Sequence, residues 1–220
     1  MTVILVLVTF LAFIVLDYVL NRRKAVAVVP VMAPPTAALH DYVDGFLVPE
    51  NLSYHPGHSW LVSERKSVVR VGADEFAAAL LGEVDQIDLP KPGQWIRQGQ
   101  KAMSFHRQGE NAEMLSPTEG EVLAVNPEVL RNPALLRRDP YGAGWLFTLN
   151  VPDEETTARN LLPKRLIRQW MRDAVERLYA RQPVLAGAVA ADGGRPAENL
   201  AAALPDTSWR QVTEEFLVNV

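Results

Sequence analysis

Two histidines in the first half of the chain are the first residues whose spacing suggests chemistry. His55 and His58 stand three positions apart, on either side of Pro56-Gly57. Imidazole pairs are common zinc ligands, but the chain has no cysteine, and no carboxylate completes a set at a familiar zinc spacing. Because the Pro-Gly pair also indicates a turn, we interpret both histidines as structural. The sequence predicts no metal site and no cofactor.

A second arrangement has the residue types of an acid–base pair. It joins His106 to Glu110 or Glu113, across the turn signal Gln108-Gly109. Acid–base groups need a pocket that adjusts their pKa values, whereas this turn signal indicates an exposed hairpin. The serine, histidine and aspartate residues lack the context of a nucleophile elbow, and there is no thiol. The sequence therefore predicts a protein that is not an enzyme.

The overall charge excludes one class of partner. The chain of 220 residues has 22 basic and 26 acidic side chains, which gives a formal net charge of −4. Domains that bind nucleic acids usually carry a strongly basic surface, so this balance predicts no nucleic-acid partner. The length is sufficient for one membrane span, one domain of ordinary size and a smaller addition.

An apolar segment opens the chain at residues 2–20, and its one charge, Asp17, lies near its end. As a helix it covers roughly 28 Å, close to the thickness of a bilayer's hydrocarbon core. No basic residue precedes the segment and Arg22-Arg23-Lys24 follows it, which is the opposite of a cleaved signal peptide. The positive-inside rule therefore predicts a single-pass anchor in the bacterial inner membrane, with the N-terminus outside and the soluble domain in the cytoplasm.

The rest of the sequence divides into three parts. Residues 21–47 are rich in alanine, valine and proline without a period, and they predict an extended linker. Residues 48–152 alternate short apolar runs with turn signals, which predicts a compact sandwich or barrel of short strands. Residues 153–220 have helical periodicity and predict a C-terminal helical extension.

Two local signals within the β region concern helices and strand ends. Asp74 can cap a helix over Glu75–Leu81, and Gly82 can end it. Pro127 fits a strand edge or a turn, where a missing N–H costs little. The sequence thus predicts one helix inserted among the strands.

Several phrases of the β region occur in an ordered series. In chain order they are His58-Ser59-Trp60, Val71-Gly72-Ala73-Asp74-Glu75-Phe76-Ala77, Leu81-Gly82-Glu83 with Leu89-Pro90, Ser116-Pro117 with Gly120, and Asp139-Pro140-Tyr141-Gly142-Ala143-Gly144-Trp145-Leu146. Together they resemble the H protein of the glycine cleavage system over about residues 50–150. The resemblance implies a mainly β fold, the barrel-sandwich hybrid of lipoyl and biotinyl carrier domains. The segments on either side add a transmembrane helix and C-terminal helices to this predicted fold.

In that family a Glu-Ser-Val-Lys-Ala phrase at a hairpin turn carries the lysine to which lipoic acid is attached. An ungapped count back from Ser116-Pro117 aligns this phrase with residues 106–110, so Gly109 falls where the lysine should be. Glycine has no amine to acylate, and the resemblance therefore implies a domain without a lipoyl arm. Lys101, expected within a strand, and Lys66, expected in another turn, do not replace it.

The C-terminal extension supplies the candidate partner-binding residues. A helix predicted from Pro163 to about Arg181 has an apolar face, which is expected to pack on the β domain. Its other face carries Arg165, Arg168 and Arg172. This basic face is expected to contact anionic lipid or an acidic partner, and the sequence leaves both open.

A last short helix carries two large aromatic residues, Trp209 and Phe216, and Asp206 is expected to cap it. A terminal helix covers such rings only in part, and aromatic side chains often dominate protein interfaces. We therefore predict that both rings contact a partner. The alternative is that they pack back on the helix that follows Pro163.

These features predict a non-catalytic, membrane-anchored docking subunit of a larger membrane complex, of the respiratory or photosynthetic electron-transfer class. One alternative is a membrane-bound accessory of a glycine-cleavage or lipoate-dependent enzyme system. Another is a module that binds a partner's lipoyl arm or a small ligand.

Overall fold

The computed structural model describes residues 42–153, 161–181 and 208–219, together with Leu11, Phe13, Thr157 and Leu200. No helix among these residues is long and apolar enough to cross a membrane. The predicted anchor, apart from Leu11 and Phe13, and most of the predicted linker lie outside the described residues. Contacts divide the chain into the units Met1–Met32 and Ala33–Val220, and the second contains every strand of the described residues.

Short strands make up most of the second unit. The described strands are β1 (Tyr42–Val43), β2 (Phe46–Leu47), β3 (Ser53–Tyr54), β4 (Ser59–Arg65), β5 (Val68–Ala73), β6 (Gln86–Asp88), β7 (Trp95–Ile96), β8 (Lys101–Arg107), β9 (Glu110–Leu115), β10 (Gly120–Val125) and β11 (Phe147–Asn150). The described helices of this unit include α1 (Glu75–Leu81), α2 (Pro127–Arg131), α3 (Leu135–Arg138), α4 (Lys164–Arg181) and α5 (Trp209–Leu217).

A six-stranded antiparallel sheet with the order β3-β4-β5-β11-β10-β7 forms one layer of the fold. Its central strand β5 is buried along its whole length, as expected for a valine-rich strand with neighbours on both sides. The predicted turn at Lys66 is confirmed, since Lys66 and Ser67 join β4 to β5.

A smaller antiparallel sheet, with the order β6-β8-β9, forms the second layer. Met103 and Phe105 of β8 and Met114 of β9 turn one face of this sheet into the core. The H-protein-like sandwich is confirmed. The sheets of residues 42–150 end at edge strands, however, and they close no barrel.

Helix α1 confirms the prediction made from its caps. The Asp74 carboxylate accepts a hydrogen bond from Ala77 N at 2.8 Å, and Gly82 ends the helix at a φ of 67°. Pro127 corrects the sequence reading. It lies in the first turn of α2, where Asn126 caps the helix and the missing N–H of proline needs no partner.

The C-terminal helices belong to the same hydrophobic core as the strands. Met171 and Leu178 of α4 and Phe216 of α5 are fully buried in that core. Residues 42–47, which the sequence analysis assigned to the linker, form the β1–β2 ribbon, and buried Val43 and Phe46 belong to the core.

Candidate functional site

The β8–β9 hairpin holds the position where the resemblance implies a modified lysine. Arg107 pairs with Glu110, so Gln108 and Gly109 form the two-residue turn. Their φ values, 49° and 83°, are the left-handed values that such a turn requires and that Gly109 adopts without strain. A Cβ at Gly109 would meet no atom within 4 Å. The tip is therefore exposed and open, and it carries no side chain at the position of the implied lysine, Gly109.

The acid–base arrangement that the sequence analysis considered and rejected at this hairpin does not form. His106 Nε2 lies 2.7 Å from Asp88 Oδ2 on the neighbouring strand β6, instead of facing Glu110 or Glu113. Hydrogen bonds from Gln86 and then from His106 lower the pKa of the Asp88 carboxyl. Glu113 instead pairs with Lys101 Nζ at 2.5 Å, at the opposite end of β8 from the tip. The pairs His106–Asp88 and Lys101–Glu113 are both exposed and have the geometry of surface ion pairs, not of an acid–base pair.

Helix α5 lies against the same hairpin. Ser208 Oγ donates to Glu110 Oε1 at 3.2 Å, and the Arg107 guanidinium lies 5.9 Å from the centre of the Trp209 ring. Trp209 Nε1 donates to the Leu81 carbonyl oxygen at 3.2 Å. Both residues that flank the tip turn, Arg107 and Glu110, are thus occupied by the start of α5. Since β9 is an edge strand, α5 also covers an edge that would otherwise be open.

Both candidate docking rings are buried in contacts within the chain. Trp209 is 7% exposed and Phe216 is fully buried, with its ring 5.5 Å from Phe76 and 5.0 Å from the Arg177 guanidinium of α4. Packing on α4, the alternative that the sequence left open, is seen for Phe216, whereas Trp209 contacts Leu81 and the hairpin residue Arg107. A docking role for the two rings stays a prediction. Ser208, and not the predicted Asp206, occupies the N-cap position; Asp206 itself lies outside the described residues.

A shallow cleft runs between α5 and β9. It holds about 100 Å³, and charged side chains line it, among them Lys101, Glu113, Arg210 and Glu214. Pockets that bind small organic molecules are mostly apolar and hold roughly 300 Å³ or more. This cleft therefore does not favour the interpretation as a module that binds a small ligand.

The two histidines do not point toward a common ligand. His58 Nδ1 lies 2.8 Å from Asp74 Oδ2, and its ring is stacked between Phe76 and Trp170, each 4.4 Å away. His55 Nδ1 accepts from Gly57 N at 3.0 Å. The described part of the chain contains no group of three or more histidine, aspartate or glutamate side chains that could hold a metal ion. These contacts favour the structural interpretation of the pair.

The burial of His55 predicts a measurable loss of stability in acid. Burial, and then the charge of His58, lower the pKa of His55 from 6.5 to about 4. As the pH falls from about 6.5 to about 4, the unfolded chain takes up this proton and the folded chain does not. The free energy of unfolding therefore decreases in this window, by about 3 kcal/mol for the full shift.

The measurement is urea unfolding at pH 7.5 and pH 4.5. His55→Asn is the matched variant, because an amide oxygen still accepts from Gly57 N but does not titrate. We expect a smaller loss in acid for the variant than for the wild type. Equal losses in the two proteins would contradict the assignment to His55.

The structure confirms the predicted helix α4, with its apolar face turned inward. Arg165, Arg168 and Arg172 lie on its exposed side. Arg168 Nη2 donates to the Tyr42 carbonyl oxygen at 3.2 Å, and Arg172 Nη1 donates to Gln169 at 3.4 Å. The three arginines therefore remain on the surface, as the sequence predicted.

Sequence reasoning missed the residues that join α5 to the hairpin. Ser208 and Glu110 are 98 positions apart, and Trp209 and Leu81 are 128 positions apart. Neither pair belongs to a local motif, and nothing in the resemblance reaches as far as α5. The amphipathic pattern of α5 indicated that it has a buried face but did not indicate its partner.

The comparisons with known families, curated proteins and solved structures point to one protein family. The family model described as "Glycine cleavage H-protein" matches residues 52–174. The glycine cleavage system H protein of Aeromonas hydrophila is 37% identical over 115 residues, which are 52% of this chain and 88% of that protein. The corresponding protein of Mycobacterium leprae is 35% identical over 106 residues, 48% of this chain and 80% of its own length.

A crystal structure of a glycine cleavage system H protein from Mycobacterium marinum is 25% identical, with a TM-score of 0.44. It covers 50% of this chain and 96% of its own chain. The family match extends over the sandwich and the first part of α4, and it ends before α5. On the sequence matches, which cover more than half of its residues, this chain belongs to the glycine cleavage H-protein family.

Proposed function

We propose that this chain is a non-catalytic docking subunit of a membrane complex, built on an H-protein-like domain that carries no lipoyl arm. The observation that carries this proposal is the tip of the β8–β9 hairpin. Gly109 occupies the turn and offers no amine. A carrier domain needs a primary amine on a flexible stem at this point, so the domain retains the scaffold without the chemistry.

The packing of α5 supports the same conclusion. A carrier hairpin has to be accessible to the enzymes that load and use its arm. Here the two residues next to the turn are engaged by Ser208 and Trp209 of an element that lies outside the family match. A hairpin that is held by its own chain is suited to a fixed structural role.

The membrane part of the proposal rests on the sequence. Residues 2–20 have the length and composition of a span, and the basic cluster at residues 22–24 follows it. A domain tethered in this way meets partners in or near the bilayer. We infer that these partners are other subunits of a membrane complex, of the electron-transfer class.

A second candidate function is supported by the extent of the match. The chain covers 88% of the H protein from Aeromonas hydrophila, so nearly the whole family domain is present. Such a domain has the surface to act as an accessory of a glycine-cleavage or lipoate-dependent system. The two proposed functions predict different co-purifying proteins and a different state of covalent modification of the chain.

Purification from native membranes tests the two functions together. The full chain, tagged at its C-terminus, is extracted in mild detergent, and its intact mass and co-purifying proteins are determined. We expect the mass of the unmodified chain and co-purification with integral membrane subunits. Gly109→Lys, which restores an amine where space is open, is the matched control for lipoylation in the same host.

Two results would contradict the proposal. One is a lipoyl adduct on Lys101, Lys66 or another lysine of the wild-type chain. The other is co-purification with soluble glycine-cleavage enzymes in place of membrane subunits. A chain without residues 1–24 controls for the anchor, and we expect it to lose the partner subunits and, at high salt, the membrane fraction.

A further inference from the structure

The first half of α4 concentrates positive charge, and no acidic residue lies within that half. Lys164, Arg165, Arg168 and Arg172 fall within its first nine residues, and the first acidic residue of the helix is Asp173. We call these four residues the basic half of α4. All four are exposed. The N-terminal end of a helix carries partial positive charge, so cations there do not stabilise the helix. Helix stabilisation therefore does not account for their placement, and the four side chains offer a positive surface to an anionic partner.

The basic half of α4 lies beside the point where the chain enters the folded domain. The guanidinium of Arg168 donates to the carbonyl oxygen of Tyr42, the first residue of β1. Ile167 and Met171, on the side of the helix that faces the core, are buried, and the four cations lie outside that side.

The length of the linker makes this position significant. Residues 25–41 separate the basic cluster after the apolar segment from Tyr42, and in extended form they span about 50 Å. The domain can thus lie near the bilayer or stand well away from it. Attraction between cations and headgroups acts only within roughly 10 Å. The face beside Tyr42, where residues 25–41 join the domain, is the face that the attraction between cations and headgroups can hold against the bilayer.

We propose that the basic half of α4 binds anionic phospholipid headgroups and fixes the orientation of the domain on the membrane. This inference rests on the anchor of the proposed function and names the surface that α4 contacts. An acidic protein partner is the competing occupant. The position beside Tyr42 favours the lipid, because it places these cations where the chain enters the domain from the proposed anchor.

The absence of cysteine allows a direct test in the full chain. Gln169→Cys places a single thiol on the exposed face between Arg165 and Arg172, where an environment-sensitive fluorophore is attached. The labelled chain is reconstituted into nanodiscs of phosphatidylcholine alone, or with roughly one third phosphatidylglycerol. Headgroup spin-labelled lipid then quenches the fluorophore when it lies at the surface. Lys91→Cys, in an exposed loop of the β region, is the control site for the label.

We expect quenching at position 169 only with phosphatidylglycerol, and its loss at high salt. The triple variant Arg165→Gln, Arg168→Gln, Arg172→Gln should shift the ratio of bound to unbound domain on the order of 100-fold toward unbound. Arg65→Gln, Arg97→Gln, Arg131→Gln is the matched control with the same change in charge at exposed positions, and it should behave as the wild type.

Several results would overturn the inference. Equal quenching in neutral and anionic nanodiscs is one, and equal effects of the two triple variants is another. If the fluorophore at position 169 is shielded only when the co-purified subunits are present, and phosphatidylglycerol has no effect, the partner of this surface is an acidic protein instead. None of these results contradicts the proposal that the chain is an anchored docking subunit. If the chain does not insert at all, the anchor fails, whereas co-flotation with phosphatidylglycerol vesicles that depends on the basic half of α4 still supports the lipid contact.

Discussion

Trp209→Ala and Phe216→Ala, made together, are expected to leave the chain largely unfolded. Phe216 is fully buried and Trp209 is 7% exposed. Replacing one buried tryptophan or phenylalanine by alanine typically costs about 3–5 kcal/mol, and the cavity left behind is part of that cost. The sum is comparable to the whole stability of an ordinary domain, about 5–15 kcal/mol.

The single variants separate the two contributions by urea unfolding. Trp209→Ala also leaves the Leu81 carbonyl without its indole donor, and Phe216→Ala removes a ring from between Phe76 and Arg177. Leu130→Ala on α2 is the control, because this side chain is 39% exposed and should cost well under about 1 kcal/mol. If both single variants keep the wild-type stability but lose the partner subunits, the rings form a docking surface after all.

The sequence was most informative where a local rule determines the structure. The helix α1 was predicted with its exact bounds because an aspartate and a glycine stand at its two ends. The helix α4 was predicted from its apolar period, which extends over five turns. The alternation of apolar runs and turn signals predicted a sandwich or a barrel, and the phrases shared with the H-protein family specified which fold of this kind it is.

Short elements and distant contacts were not predictable in the same way. Helices α2 and α3 have five and four residues, too few to show a period, and Pro127 was therefore read as a turn. The turn at Gly109 was located correctly, but His106 was matched with glutamates of its own hairpin. Its partner is Asp88 on β6, and the pairing of β6 with β8 is a property of the fold.

The stacking of Trp170 on His58 illustrates the remaining gap between sequence and structure. The amphipathic pattern placed Trp170 on the inner face of α4, and the His-Ser-Trp phrase placed His58 in the β region. Only the tertiary structure brings the two rings to 4.4 Å. The contact thus links the family domain to its C-terminal helix through a histidine that the sequence left without a partner.

Asp74→Ala tests how much this arrangement contributes to stability. The Asp74 carboxylate is fully buried, and its two oxygens have different partners. One accepts from Ala77 N at the start of α1, and the other lies 2.8 Å from His58 Nδ1. Loss of the cap costs about 1 kcal/mol, and a buried imidazole without its partner costs about 1–3 kcal/mol more. We expect a total of about 2–4 kcal/mol in urea unfolding.

A double-mutant cycle assigns the part of this cost that belongs to His58. Asp74→Asn keeps an oxygen for Ala77 N but disturbs the contact with His58, and we expect it to cost less than Asp74→Ala. His58→Leu removes the imidazole from between Phe76 and Trp170. If the pair is structural, the cost of the double variant His58→Leu, Asp74→Ala is smaller than the sum of the single costs, because both singles break the same contact. Additive costs would show that the two side chains stabilise the fold independently, and that the short distance between them has no energetic role.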